Sequence, residues 1–190
     1  MRRRSNARRA PPGSVRIIAG EWRGRRIPIV GETAVRPTPD RVRETVFNWL
    51  QPHIAGARVL DLYAGTGALG FESLSRGAAE AWLVEQDARL VEALYAQAET
   101  FGAKPRIVRQ DAAAFLRGRP AQRFDVVFLD PPYAMPVEPL LELLPGWLAV
   151  EGLVYVERRL PAGLPELAAG KWLKRSGAGT VEYGLLRFAV

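Results

Sequence analysis

From about residue 57 onward the sequence alternates short β-prone runs with longer helical patterns, and this alternation constrains the fold more than any other feature. Such alternation implies an α/β architecture, a mostly parallel sheet with helices on both faces. Strands are expected at Arg58 to Leu62, Ala81 to Glu85, Arg106 to Arg109, Val126 to Leu129 and Leu153 to Glu157. Helices are expected near Gly67 to Ser75, Ala88 to Phe101, Ala112 to Leu116 and Pro139 to Leu148. Trp172 to Arg175 and Val181 to Phe188, around Ser176-Gly177-Ala178-Gly179, read as an antiparallel pair added at the sheet edge. The implied class is a Rossmann-like sheet of seven strands, and 190 residues suffice for one such domain plus a short appendage.

The appendage precedes that domain. Residues 1–14 lack periodicity and read as a disordered basic arm. Residues 15–35 hold two β-prone runs, Val15 to Ala19 and Arg25 to Val30, flanking Gly20-Glu21-Trp22-Arg23-Gly24; they read as a hairpin with Trp22 at its tip. Residues 36–190 make the main domain. There Pro37, Thr38 and Pro39 break the chain, and Asp40 is placed to cap a helix reaching Trp49 or Leu50, with Val42, Val46, Phe47 and Leu50 on one face. Pro52 and Gly56 are expected to close it.

Charge is distributed unevenly. Residues 1–26 carry nine arginines against the single acid Glu21, a net of +8, while the remaining 164 residues set 18 basic side chains against 19 acidic ones. Arginine presents a planar fork of donors to phosphate, so this segment suits a polyanion such as nucleic acid. Without cysteine, and with His53 as the sole histidine, disulfides, thiolate or histidine-cluster metal sites, cysteine nucleophiles and a Ser/His/Asp triad are excluded. No metal is expected. No apolar run approaches the ~20 residues of a membrane span, and no apolar segment follows Arg2 to Arg4, so a cytoplasmic location is expected.

Two loops carry chemistry. Asp61-Leu62-Tyr63-Ala64-Gly65-Thr66-Gly67-Ala68-Leu69-Gly70 places a glycine-rich turn between the first strand of the main domain and its helix, where backbone can approach a ligand closely. Gly65, Gly67 and Gly70, with Glu85 placed for a ribose hydroxyl, also fit a dinucleotide fingerprint, so an NAD enzyme is possible from this loop alone. Asp61 tilts the choice, because a carboxylate there suits a cationic cofactor and repels a pyrophosphate. Asp111, after the third strand, can accept from an adenine amine. Both acids could instead cap helices.

The second loop is Asp130-Pro131-Pro132-Tyr133, at the end of the apolar run Phe124 to Leu129. Proline cannot donate to a sheet ladder, so the chain leaves the strand in a stiff extended loop. An exocyclic base amine is a poor nucleophile because its lone pair is delocalised into the ring. Asp130 and the Pro131 carbonyl can hold its hydrogens and localise that pair, and Tyr133 offers a stacking surface for a flipped base. The pair of loops implies transfer of a methyl from S-adenosylmethionine to such an amine.

Arg36-Pro37-Thr38-Pro39-Asp40-Arg41-Val42-Arg43-Glu44-Thr45-Val46-Phe47-Asn48-Trp49-Leu50, followed by the Asp61 to Gly70 loop, Glu85 and Asp130 to Tyr133, resembles the RsmD family of bacterial 16S rRNA guanine-N2 methyltransferases, over about Arg16 to Phe188. The resemblance implies a class I methyltransferase fold with an RNA-contacting hairpin. Its substrate would be a guanine of the small ribosomal subunit or an assembly intermediate, and a monomer is expected. Asp130, Pro131 and Tyr133 would act on the base. The cofactor would be held by Thr38, by Asp61, Tyr63, Ala64, Gly65, Thr66 and Gly67, by Glu85 and Gln86, and by Gln110, Asp111 and Ala112. RNA would meet Arg16, Trp22, Arg23, Arg25, Arg26, Arg36 and Arg43. Tyr63 and Thr66 stand where Phe and Ser are expected, Pro39 is unusual, and the Arg2 to Arg9 extension lies outside the match. Other readings are a DNA adenine-N6 methyltransferase, a protein glutamine methyltransferase, or a non-catalytic RNA-binding assembly factor with the same fold.

Overall fold

The apolar run that ends at Asp130 forms the strand expected of it. In the computed structural model, which describes residues 13–30, 38–132 and 135–188, Phe124–Leu129 (β6) is the middle strand of a seven-stranded sheet. The chain begins with β1 (Ser14–Arg16), β2 (Arg26–Pro28), α1 (Asp40–Ile54), β3 (Arg58–Asp61) and α2 (Ala68–Ser75). Next come β4 (Glu80–Glu85), α3 (Ala88–Phe101), β5 (Arg106–Arg109) and α4 (Ala112–Leu116). After β6 follow α5 (Glu138–Leu143), a 3-10 turn (Leu144–Trp147), β7 (Leu148–Arg159), β8 (Gly170–Ala178) and β9 (Val181–Phe188). The sheet order is β5-β4-β3-β6-β7-β9-β8. The first five of these run parallel, while β9 is antiparallel to both of its neighbours.

Strand side chains alternate between faces, and that parity sorts the core. Val59, Val126, Phe128, Leu153 and Tyr155 join one cluster with residues of α1, α2, α3 and the hairpin. Leu60, Val127, Leu129, Val154 and Val156 join another with residues of α4 and α5. Asp61 pairs with Phe128, and Leu129 with Val156. Parity therefore puts Asp61, Asp130 and Glu157 on the α1 side at the carboxyl edge of adjacent strands.

Several boundaries differ from expectation for identifiable reasons. Ser14 already belongs to β1, and both hairpin strands are short, because the N–H groups of Ile18 and Ala19 turn away to the Glu72 carboxylate at 2.7 and 3.0 Å. Pro39, not Asp40, occupies the N-cap of α1; Asp40 instead accepts from Arg43 at 2.6 Å. Pro52 lies inside α1, which runs to the buried Ile54; in the last turn a proline removes one ladder bond while the apolar face stays packed. The expected Pro139 to Leu148 helix splits into α5 and the 3-10 turn, since Pro145 cannot donate to an α ladder. In β8 the strand continues through Ser176-Gly177-Ala178, leaving Gly179 and Thr180 as the connection to β9. No helix among the described residues is long and apolar enough to cross a membrane.

Candidate active site

The glycine loop is tied down by one carboxylate. Glu85, at the end of β4, accepts from Gly65 N and from Asp87 N, each at 2.9 Å, so it joins the loop to the start of α3. Ala64 N donates to Val84 O at 3.0 Å and Gly67 N to Ala64 O at 2.6 Å. Gly67 has φ 78°, and a Cβ there would stand 2.6 Å from Leu94 and from Phe71. Only glycine fits that position without displacement. Thr66 is half-buried beside it.

Asp61 lies beneath this loop, 2% exposed, and accepts from Gly70 N at 3.2 Å. Burial pushes its carboxyl up to about 7, against the Gly70 hydrogen bond and with the Glu85 charge adding to the rise. Tyr63 donates to Met135 Sδ at 2.9 Å, and burial followed by the nearby Asp111 charge raises its hydroxyl to about 12. Asp111 N-caps α4 by accepting from Ala114 N at 2.8 Å, the capping role its position allowed. Gln86 and Gln110 are exposed at the same edge, and Ala112 is buried behind them.

Beside the loop stands a second acid that sequence reasoning missed. Glu157 is 2% exposed on β7, one position past the Leu129–Val156 pair, and its Oε2 accepts from the Tyr155 hydroxyl at 2.6 Å. Thr38 Oγ1 lies 3.3 Å from Glu157 Oε2 and 3.3 Å from Asp130 Oδ2, so this hydroxyl stands between two carboxyl groups. Asp130 is held well above the ordinary carboxylate range, first by burial, then by the charges of Glu157 and Asp61, with the Thr38 hydrogen bond opposing. Burial raises Glu157 as well, against the Tyr155 and Thr38 hydrogen bonds. The relation of Glu157 to Asp130 arises from the register of β6 with β7 and from Thr38, so no local stretch of the sequence signalled it. Pro131 is buried against the strand end; Tyr133 lies outside the described residues.

The hairpin departs from the expected RNA-facing arrangement at two positions. Trp22 is 7% exposed and stacks on Phe101 at 4.9 Å, because Gly20 to Trp22 fold back onto the end of α2 through Ser75. It is a core residue and not an exposed tip. Arg43 is fully buried between Asp40, the Arg16 carbonyl and Glu72 at 2.6, 2.8 and 3.7 Å, so it braces the hairpin and presents nothing to a ligand. Arg16, Arg23 and Arg25 are exposed and Arg26 is half-buried. Arg25 donates to Thr100 O with its guanidinium over Phe101, Arg26 reaches Ser14, and Arg16 is 3.5 Å from Asp40. Arg36 lies outside the described residues, as do residues 1–12 of the basic arm. Glu72 was also missed; it is fully buried, and with Arg43 and Arg76 it ties the hairpin to α2.

Among the described residues no lysine or arginine pairs with Asp61, Asp130 or Glu157. Uncompensated acids beside a glycine cradle fit a cationic ligand and disfavour a pyrophosphate. These residues fit S-adenosylmethionine, and the loop beside them can accept amine hydrogens.

Comparison with known proteins agrees with this geometry. A family model described as Conserved hypothetical protein 95 matches residues 15–186. The chain is 46% identical over 180 residues to ribosomal RNA small subunit methyltransferase D of Escherichia coli strain K12, covering 91% of this chain and 89% of that protein. It is 40% identical over 182 residues to the Haemophilus influenzae protein of the same name, covering 91% and 93%. Among solved structures, yhhF from Escherichia coli superposes with a TM-score of 0.85 at 42% identity, covering 93% of this chain and 98% of that one.

Proposed function

We propose, for a chain that belongs to the RsmD family matched by the Conserved hypothetical protein 95 model, that it methylates the exocyclic N2 amine of a guanine in 16S rRNA. The enzyme is an S-adenosylmethionine-dependent rRNA methyltransferase, and the guanine N2 target is the finer part of the reading. The observation that carries it is the adjacency of Asp130 and Pro131, at the end of β6, to the glycine loop at the end of β3, two strands paired in parallel from Val59–Val126 to Asp61–Phe128.

S-adenosylmethionine, when bound, supplies an electrophilic methyl on a sulfonium sulfur. The chain's own residues do the rest. Glu85 has lone pairs beyond those used by Gly65 and Asp87, and these take ribose hydroxyls. Asp111 similarly keeps acceptor capacity beyond its cap and receives the adenine amine. Asp61 acts from below the loop: it fixes Gly70 and sets a negative field under the cationic end. Tyr63, Ala64, Thr66, Gln86, Gln110 and Ala112 line the same edge. Asp130 and the Pro131 carbonyl accept the two amine hydrogens and draw the nitrogen lone pair out of the ring plane. Tyr133 supplies the stacking face, an interaction of about 1–3 kcal/mol per base.

Arg16, Arg23, Arg25 and Arg26, with Arg36 and the arginines of residues 1–12, contact phosphates, and the substrate is the small subunit or an assembly intermediate met in the cytoplasm by a monomer. Labelled methyl transfer to small subunits, naked rRNA and DNA, followed by nucleoside analysis, tests the reading. N2-methylguanosine in rRNA is the expected product; N6-methyladenine in DNA would overturn it. Asp130→Ala should lower transfer by at least about 10²-fold while cofactor affinity, read by calorimetry, stays close to that of the native chain. Undiminished transfer would remove Asp130 from the chemistry.

A further inference from the structure

Glu157 has no part in the reaction as set out above, yet it is an almost fully buried acid aimed at the acceptor. Its carboxylate is linked to Asp130 through a single hydroxyl, with Thr38 Oγ1 3.3 Å from each acid. A threonine hydroxyl has one hydrogen and two lone pairs. Between two ionised carboxylates it can donate to only one and must turn a lone pair towards the other. One additional proton removes the conflict: a protonated Asp130 donates to Thr38, and Thr38 donates to Glu157.

Glu157 Oε2 then receives two donors, Thr38 and the Tyr155 hydroxyl at 2.6 Å. That is the pattern of an ionised acceptor beside a neutral acid. Other groups facing the pair are Asp61 at the end of β3 and Tyr183 on β9, which is paired with Glu157. Among the described residues no base forms an ion pair with either acid.

We propose that Asp130 and Glu157 share one proton through Thr38, in addition to the threonine hydroxyl's own, in the ligand-free protein, and that Glu157 governs whether Asp130 is free to accept from the target amine. The proposal rests on the reading of Asp130 as the residue that holds that amine. The proton moves by exchange at Thr38. The Asp130 O–H bond breaks as Thr38 takes its proton, and the Thr38 O–H bond breaks as its own proton passes to Glu157 Oε2. Asp130 is left ionised and Glu157 neutral, with no change in net charge. A neutral Asp130 offers one fewer acceptor to the amine, whereas an ionised one offers both oxygens. Glu157 is thus a positioning residue that acts through Thr38, and the direction of the Asp130 shift, raised in part by the Glu157 charge, agrees with it.

The test is Glu157→Gln, which keeps an acceptor for Tyr155 and Thr38 but removes the charge. The acid limb of kcat/KM, which reports the free enzyme, should move to lower pH by roughly one pH unit, the size of a neighbouring like-charge effect. A 13C carboxyl titration of the ligand-free protein should show the same movement of the high-titrating acid. Thr38→Val removes the hydroxyl to which the neutral Asp130 donates, so it should move the limb to lower pH, in the same direction as Glu157→Gln. An unmoved limb and an unmoved carboxyl titration in Glu157→Gln would overturn the proposal. Asp130→Ala, which leaves no side-chain acceptor for the amine, separates the two readings. If it retains full transfer, the assignment of Asp130 itself fails; if it is inactive while Glu157→Gln is unmoved, only the shared proton fails.

Discussion

Gly65 donates its backbone N–H to Glu85 Oε2 at 2.9 Å, and the opposite oxygen of that carboxylate accepts from Asp87 N at 2.9 Å. One side chain therefore sets both the glycine loop and the start of the next crossover helix. In Glu85→Gln an amide NH2 must replace one of the two acceptors and face an N–H group. A lost hydrogen bond to a charged acceptor costs about 1.5–3 kcal/mol. Cofactor affinity is expected to fall roughly 10- to 150-fold at that cost. Calorimetric titration with S-adenosylmethionine and its demethylated product measures it, and equal losses for both would place the defect in the loop rather than at the methyl group.

Two glycines with nearly the same backbone conformation should respond differently to alanine. Gly67 has φ 78° and Gly24 φ 82°, but a Cβ on Gly67 would stand 2.6 Å from Leu94 and Phe71, whereas none of the described atoms lies within 4 Å of a Cβ on Gly24. Gly24→Ala is expected to cost about 1 kcal/mol, the strain of a left-handed non-glycine residue. Gly67→Ala adds overpacking, typically about 1–3 kcal/mol more. Urea unfolding of the two variants measures the difference, which should vanish if the loop relaxes freely.

Asp61 makes the protein's stability depend on pH in a direction opposite to that of a salt-bridged acid. Its carboxyl is raised from 3.8 to about 7 in the folded chain. The native state therefore holds a proton that the unfolded state releases between these two values, and stability falls as pH rises through that window. Asp61→Asn can still accept from Gly70 N and has no charge to bury. The variant is expected to lose part of the decline between about pH 4 and 7 and to be the more stable protein at pH 8, as read from denaturant midpoints. A steeper decline would mean the carboxylate is stabilised by its surroundings.

The alternating pattern from β3 to β9 was legible because parallel strands buried on both faces leave continuous apolar runs such as Phe124–Leu129. Most differences lay at element ends, where the deciding partner is distant in sequence. Ile18 and Ala19 leave the hairpin ladder for Glu72, some fifty residues away. Trp22 and Arg43 looked like ligand-facing residues because aromatic and arginine side chains among basic neighbours suit RNA. Their burial follows from Phe101 and Glu72, which no local window contains. The glycine loop and Asp130 could be read because motif and strand end coincide. Glu157 could not, since its relation to Asp130 exists only through sheet register and Thr38.

The hairpin also changes how the basic segment must be tested. Removing residues 1–26 would delete Val15, Ile17 and Trp22, all buried in the main core, and would expose the Glu72 carboxylate that Ile18 and Ala19 cover. Failure of such a truncation to bind RNA would report unfolding as readily as missing phosphate partners. Removing residues 1–12 avoids this and takes away five arginines, at positions 2, 3, 4, 8 and 9. If these neutralise phosphates, the slope of log K against log salt should become shallower by about 0.7 to 0.9 for each phosphate left without its arginine. The unfolding midpoint of the truncated chain should match that of the full chain. Exposed Arg23, changed to Gln in the full chain, should lower the slope by roughly the share of one phosphate, whereas Arg43→Gln should destabilise the fold by about 3–5 kcal/mol as the partner of a buried ion pair. An unchanged salt slope in the truncated chain, with Arg23→Gln still reducing it, would confine RNA binding to the hairpin and leave the first twelve residues without a part in it.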